Sequence, residues 1–92
     1  MTLEQLRIFA VVAERGHMTL AADTLGISQS GASAAIKALE QTYGVQLFNR
    51  VGRGIELSAA GRRFLPEAKA VLAQAEAARL TLLNISQAIS GS

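Results

Sequence analysis

Apolar residues at Leu3, Leu6, Phe9, Val12 and Ala13 recur at steps of three or four along the start of the chain, the spacing that lines up one face of an α-helix. Thr2 and Gln5 stand in capping-box relation, and Gly16 can adopt the left-handed conformation that stops a helix, so a first helix is predicted over Leu3–Arg15. After His17 and Met18, the hydroxyl of Thr19 can cap a second helix whose inward face is Ala21, Ala22 and Leu25, with Gly26 as its stop. Ile27 can plug the turn into the core, and Ser28 is placed to cap a third helix. There Ala32, Ile36, Leu39 and Tyr43 fall on one face for packing, while Gln29, Ser30, Ser33 and Lys37 fall on another. Gly44 closes it.

The period then shortens to two. Val45 and Leu47, then Ile55 and Leu57, form short alternating runs around Asn49-Arg50-Val51-Gly52-Arg53-Gly54, a hairpin with a basic, glycine-rich tip. Ser58 can cap a final helix of about 30 residues. Pro66 removes one amide from its early turns, so a bend near Arg62–Pro66 is expected, without a full break. Phe64, Ala68, Val71, Ala75, Ala78, Leu82, Ile85 and Ile89 step alternately by four and three. That is a 3.5-residue period, and a lone helix cannot bury such a seam, so a second copy is expected to cover it. Ser90-Gly91-Ser92 reads as a linker.

Composition narrows the class. With 92 residues, half of them hydrophobic and 17% charged, the chain has enough apolar material for one core plus an appendage and is not intrinsically disordered. Three Phe and one Tyr are too few aromatics for a typical sandwich or barrel, and the absence of cysteine removes disulfides and thiolate metal sites. No apolar run is long enough to span a bilayer and the start is not that of a signal peptide, which predicts a cytoplasmic protein. The net charge is +2, but the cations cluster: Arg50, Arg53, Arg62 and Arg63 lie close together in the second half. A phosphate backbone would be drawn to that excess.

Three helices followed by a hairpin make a mainly α winged helix-turn-helix over residues 1–58, and residues 59–92 form a linker and dimerisation helix. In such a fold the third helix can enter a major groove about 12 Å wide. Its outer residues are small and polar, as close approach to base edges requires. Gln29 can hydrogen-bond an adenine edge in bidentate fashion, and Ser30 and Ser33 can meet a base or a phosphate. Lys37 would meet flanking phosphates, and Thr19 and Ser28 sit at helix amino termini that favour phosphate. Arg50 and Arg53 would reach a minor groove or its rim, with Arg62 and Arg63 adding backbone contacts. Each feature also has a plainer reading: Ser28 as a cap only, the polar face as merely solvated, the wing arginines as protection of a strand edge, His17 as a loop residue. Enzyme chemistry has no foothold in a chain with one histidine and no paired carboxylates, Gly52-Arg53-Gly54 is not a phosphate-binding loop, and neither a metal nor a cofactor is called for. A winged helix used as a protein-assembly module is the main rival; it would show an apolar outer face on the third helix.

The stretch from Ala21 through Ser30, with Ser33, Ile36, Leu39 and Glu40, resembles the helix-turn-helix signature of LysR-type transcriptional regulators. Leu6, Phe9 and Val12 on one side, and Gly44–Arg50, Arg53 and Leu57–Gly61 on the other, extend the resemblance over nearly the whole chain. It implies double-stranded DNA as partner, with Gln29, Ser30 and Ser33 at groove-reading positions and Arg50 and Arg53 at wing positions. Ala34 belongs to the same set of contact positions, although family members often carry a larger polar or basic residue there. The resemblance also implies an antiparallel homodimer through the linker helix, an inverted-repeat operator, and a tetramer in the full-length protein. A small-molecule effector would bind only through a further carboxyl-terminal domain that these residues do not include.

Overall fold

The computed structural model describes residues 1–90, in the order α1 (Leu3–Arg15), α2 (Met18–Leu25), α3 (Gln29–Tyr43), β1 (Phe48–Val51), β2 (Gly54–Leu57) and α4 (Ala59–Ser90). Of the expected terminal linker, Ser90 is the last residue of α4, and Gly91 and Ser92 lie outside the described residues. The capping box at α1 forms with both bonds at 3.0 Å, Thr2 Oγ1 accepting from the Gln5 amide and Gln5 Oε1 from the Thr2 amide. Ser28 caps α3 through its Oγ, which accepts from the Gly31 amide at 3.0 Å. Gly16, Gly26 and Gly44 end the three helices in the left-handed conformation.

Several local expectations are corrected. Thr19 does not cap α2: the helix begins at Met18, and Nδ1 of His17 accepts from the Leu20 amide at 3.4 Å. The ring nitrogen does there what a hydroxyl two residues later would have done, so His17 is a cap and not a plain loop residue. Tyr43 is 54% exposed, because the core ends one turn earlier, at Leu39. In α1 the outermost apolar position, Leu3, is exposed, and Ile8 joins the core instead. The hairpin also sits later than the alternation implied. Val45 is exposed and Leu47 is buried ahead of the ladder, which pairs Phe48 with Leu57, Asn49 with Glu56, Arg50 with Ile55 and Val51 with Gly54. Asn49 and Arg50 are therefore strand residues, and the turn is Gly52-Arg53 alone, with the positive φ of 57° supplied by Gly52.

One core serves all the elements. Leu6, Phe9 and Val12 of α1 meet Ala21 and Ala22 of α2, Ala32, Ile36 and Leu39 of α3, then Leu47 and Ala68. The alanines at the α2–α3 contact let the two backbones approach closely. Phe9 is fully buried, and its ring centroid lies 5.4 Å from Phe48 on the wing and 5.0 Å from Phe64 on α4. Three separate parts of the chain are thus joined through one aromatic cluster, each tilted pair contributing about 0.5–1.5 kcal/mol beyond its buried area. The Ile55 amide donates to the Gly16 carbonyl at 3.1 Å, which ties β2 to the end of α1.

α4 runs 32 residues with Pro66 inside it, a rod of about 48 Å at the helical rise. Its first turns belong to the core. Ala68 is 1% exposed, which takes it out of the expected seam and into the chain's own core, and Phe64 is half-buried against Phe9. Leu72 still packs against the core and Ala75 is half-buried, and beyond them the picture reverses. Leu82 is 68% exposed and Ile89 74%, with Val71 and Ile85 also exposed.

Candidate nucleic-acid interface

The outer side of α3 is built by its cap and its period. Ser28 starts the helix, so Gln29, Ser30 and Ala34 emerge on its first two turns, all exposed. Ser28 Oγ already serves as the acceptor for Gly31 and lies 3.3 Å from Ser30 Oγ, so the two hydroxyls form a small polar pair at the helix start. Ser33 is half-buried and Lys37 is exposed one turn further on. Because Ala32, Ile36 and Leu39 anchor the opposite face in the core, nothing among the described residues covers the exposed positions of this surface. The apolar outer face expected of a protein-assembly module is absent from it.

A cleft runs between α3 and the hairpin. Ser33, Ile36, Lys37 and Gln41 line one side, and Phe48, Asn49 and Arg50 the other, with Met18 and Ile55 also contributing. The structure therefore brings Ser33, Lys37 and Arg50 together, three residues singled out from sequence. It does not bring the others to the same place. Gln29, Ser30 and Ala34 lie toward the start of α3, Thr19 is exposed on α2, and Arg53 is exposed at the hairpin turn. Among the described residues the ion pairs are Arg7–Glu4 at 3.2 Å and Arg79–Glu76 at 2.6 Å, both remote in sequence from the cleft. Lys37, Arg50 and Arg53 have no carboxylate partner among the described residues, and their charge is directed to whatever occupies the surface. Arg79 donates to Glu76 and holds that exposed carboxyl below its ordinary range.

Three groups were not singled out from sequence. Gln41 continues the four-residue steps of Gln29, Ser33 and Lys37, so the helical period carried a signal for it. Asn49 reaches the cleft because it belongs to β1, the tip being shorter than the sequence suggested. Glu40 is the third: its carboxylate accepts from the Leu47 amide at 2.7 Å in a partly buried contact. Glu40 counted in the sequence only toward the family resemblance, although a negative charge near a helix carboxyl terminus opposes the helix dipole and so needs a partner.

Comparison with known proteins places these elements in context. Residues 3–62 match the model of the bacterial regulatory helix-turn-helix proteins of the lysR family. The chain is 43% identical over 91 residues to the HTH-type transcriptional regulator BudR of Klebsiella aerogenes, an alignment that takes in 99% of the chain but 64% of BudR. Among solved structures, the protein of the CbnR_DBD–DNA complex superposes with a TM-score of 0.86 at 40% identity, over 94% of this chain and 99% of that one. The protein of the BenM_DBD/benA site 1 DNA complex does so with a TM-score of 0.86 at 33% identity, over 92% and 99% of the two chains.

Proposed function

This chain belongs to the lysR family of bacterial regulatory helix-turn-helix proteins, and from that premise we propose that it is a sequence-specific DNA-binding regulator domain acting as a homodimer on an inverted-repeat operator. α3 enters the major groove and the hairpin reaches the adjacent backbone and minor groove. The observation that carries the reading is the polar surface of α3 ending in a cleft whose cations, Lys37 and Arg50, have no carboxylate partner among the described residues. A duplex strand running between the two grooves would place its phosphates against such a cleft. Residues 1–58 carry the contacts to DNA, and the pairing of copies falls to the part of residues 59–92 beyond the core.

Two substitutions separate base reading from charge. Gln29→Ala is expected to lose about 1–3 kcal/mol of discrimination at one base pair per half-site, with little change elsewhere. Competition titrations against single-base operator variants measure this, and uniform weakening at every position would refute direct readout by Gln29. Arg53→Ala is expected to weaken all duplexes alike and to lower the slope of log affinity against log salt by about one per protomer. An unchanged slope removes Arg53 from the phosphate contacts.

The homodimer rests on the seam of Val71, Ala75, Ala78, Leu82, Ile85 and Ile89, which is exposed except at half-buried Ala75. Its small residues come first and its large ones last. Antiparallel pairing sets Ala75 and Ala78 of one copy opposite Ile85 and Leu82 of the other, so large side chains meet small ones; parallel pairing would oppose Leu82 to Leu82 and leave voids between alanines. Binding of the purified chain to duplexes selected from random DNA, followed by anisotropy over a range of salt, tests the whole reading. Recovered inverted repeats are the expected result, and a chain indifferent to duplex DNA even in dilute buffer would overturn it.

A further inference from the structure

The segment Val45–Leu47, which joins α3 to the hairpin, is held from both sides. On the α3 side, Glu40 Oε2 accepts from the Leu47 amide at 2.7 Å, and the Glu40 carbonyl accepts from the Val45 amide at 3.0 Å. From the other side, Ser58 Oγ donates to the Gln46 carbonyl at 2.7 Å, and the Ser58 amide donates to the Leu47 carbonyl at 2.9 Å. The Gln46 side chain in turn donates to the Phe48 carbonyl at 2.9 Å and to Asn49 Oδ1 at 3.1 Å. Leu47 anchors the middle of the segment in the core.

Glu40 is the one side chain of α3 in this set. Its bond spans seven residues, from the groove-facing helix to the residue just before β1. One residue past Leu47, β1 begins, and it carries Asn49 and Arg50 into the cleft opposite Lys37. We propose that Glu40 is a positioning residue for DNA binding: by holding the Leu47 amide it sets the distance between the reading face of α3 and the Arg50 side of the wing, so that both engage one duplex together. This rests on the DNA-binding reading above and adds a residue that touches no DNA itself.

The test turns on a difference in sign. Glu40 brings a negative charge to the lining of a cleft meant for phosphate, so charge alone says that removing it tightens DNA binding. Positioning says the reverse for any variant that cannot hold the Leu47 amide. Glu40→Ala is expected to bind a selected duplex about tenfold more weakly, the equivalent of one lost hydrogen bond to a charged group. Glu40→Gln keeps an oxygen acceptor without the charge and is expected to bind at least as tightly as the natural chain. Glu40→Asp keeps the charge one methylene short and is expected to behave as Glu40→Ala, which carries the test if the alanine variant does not fold. Exchange of the Leu47 amide, followed by NMR, should be fast in Glu40→Ala and slow in Glu40→Gln.

Affinity in Glu40→Ala or Glu40→Asp equal to or above that of the natural chain overturns the proposal, as does an equal loss in Glu40→Gln. These results differ from a failure of the DNA-binding reading itself, in which the natural chain would not bind the duplex at all.

Discussion

A chain carrying Ala75→Glu and Leu82→Glu is expected to sediment as a monomer and to lose on the order of a hundredfold in affinity for a duplex with two half-sites, the advantage that a linked second contact confers. The cause is the divided use of α4. Its first turns are spent inside the domain, with Ala68 buried and Phe64 against Phe9, whereas exposed Leu82 and half-buried Ala75 both lie outside the core cluster, so the two substitutions leave the core alone. Glutamate is a good helix former, and α4 should stay helical. In the proposed antiparallel pair the new carboxylates would fall within the seam, opposite Ile85 and Ala78, where burying an unpaired charge is prohibitive. The affinity for a duplex with a single half-site should be unchanged, since α3 and the wing are untouched. Sedimentation velocity and the two duplexes together check the outcome, and a double variant that remains dimeric would show the seam to lie on another face.

Gly61→Ala is expected to lower stability by about 3 kcal/mol or more, because a clash with backbone in a packed site has no cheap relief. For a domain this size that is a fall in melting temperature of roughly 10–20 °C. Gly61 is buried in the first turns of α4, and a Cβ there would collide with the Leu47 carbonyl oxygen and approach Leu57 Cδ2 at 2.8 Å. The obstacle is pinned. The Leu47 carbonyl accepts from the Ser58 amide at 2.9 Å, and the Gly61 amide donates to Ser58 Oγ at 3.0 Å. Intrinsic helix propensity points the other way, favouring alanine over glycine by about 1 kcal/mol. Thermal unfolding followed by circular dichroism therefore gives a clear sign: a rise would mean that propensity outweighs packing and that α4 can slide on the Leu47 turn.

The elements were legible where the cause is local. A capping hydroxyl, a run of apolar residues at helical spacing and a glycine stop act within a few residues, and α1 and α3 fall where those signals put them. Local signals failed where two groups competed for one role. His17 and Thr19 could both cap α2, and the ring nitrogen is the one in reach of the first free amides. Alternation around Val45 and Leu47 looked like strand, but Leu47 is drawn into the core and its amide is taken by Glu40 before the ladder begins. Of the candidate contacts, Ser33, Lys37 and Arg50 could be grouped only once the hairpin was placed against α3.

Read alone, the amino-acid order determined the succession of three helices, hairpin and long helix, which face of each is apolar, and where the cations collect, since these follow from side-chain spacing and backbone preference over short stretches. Only the tertiary structure decided how that apolar seam is shared out. Ala68 is taken into the core and Phe64 packs against Phe9, while the seam from Ala78 to Ile89 stays bare, and a 3.5-residue period is the same whether its partner is the chain's own core or another helix. The contacts of Glu40 and Gly61 with the Leu47 turn likewise join residues distant along the chain, and such closeness exists only after the core has brought the backbones together.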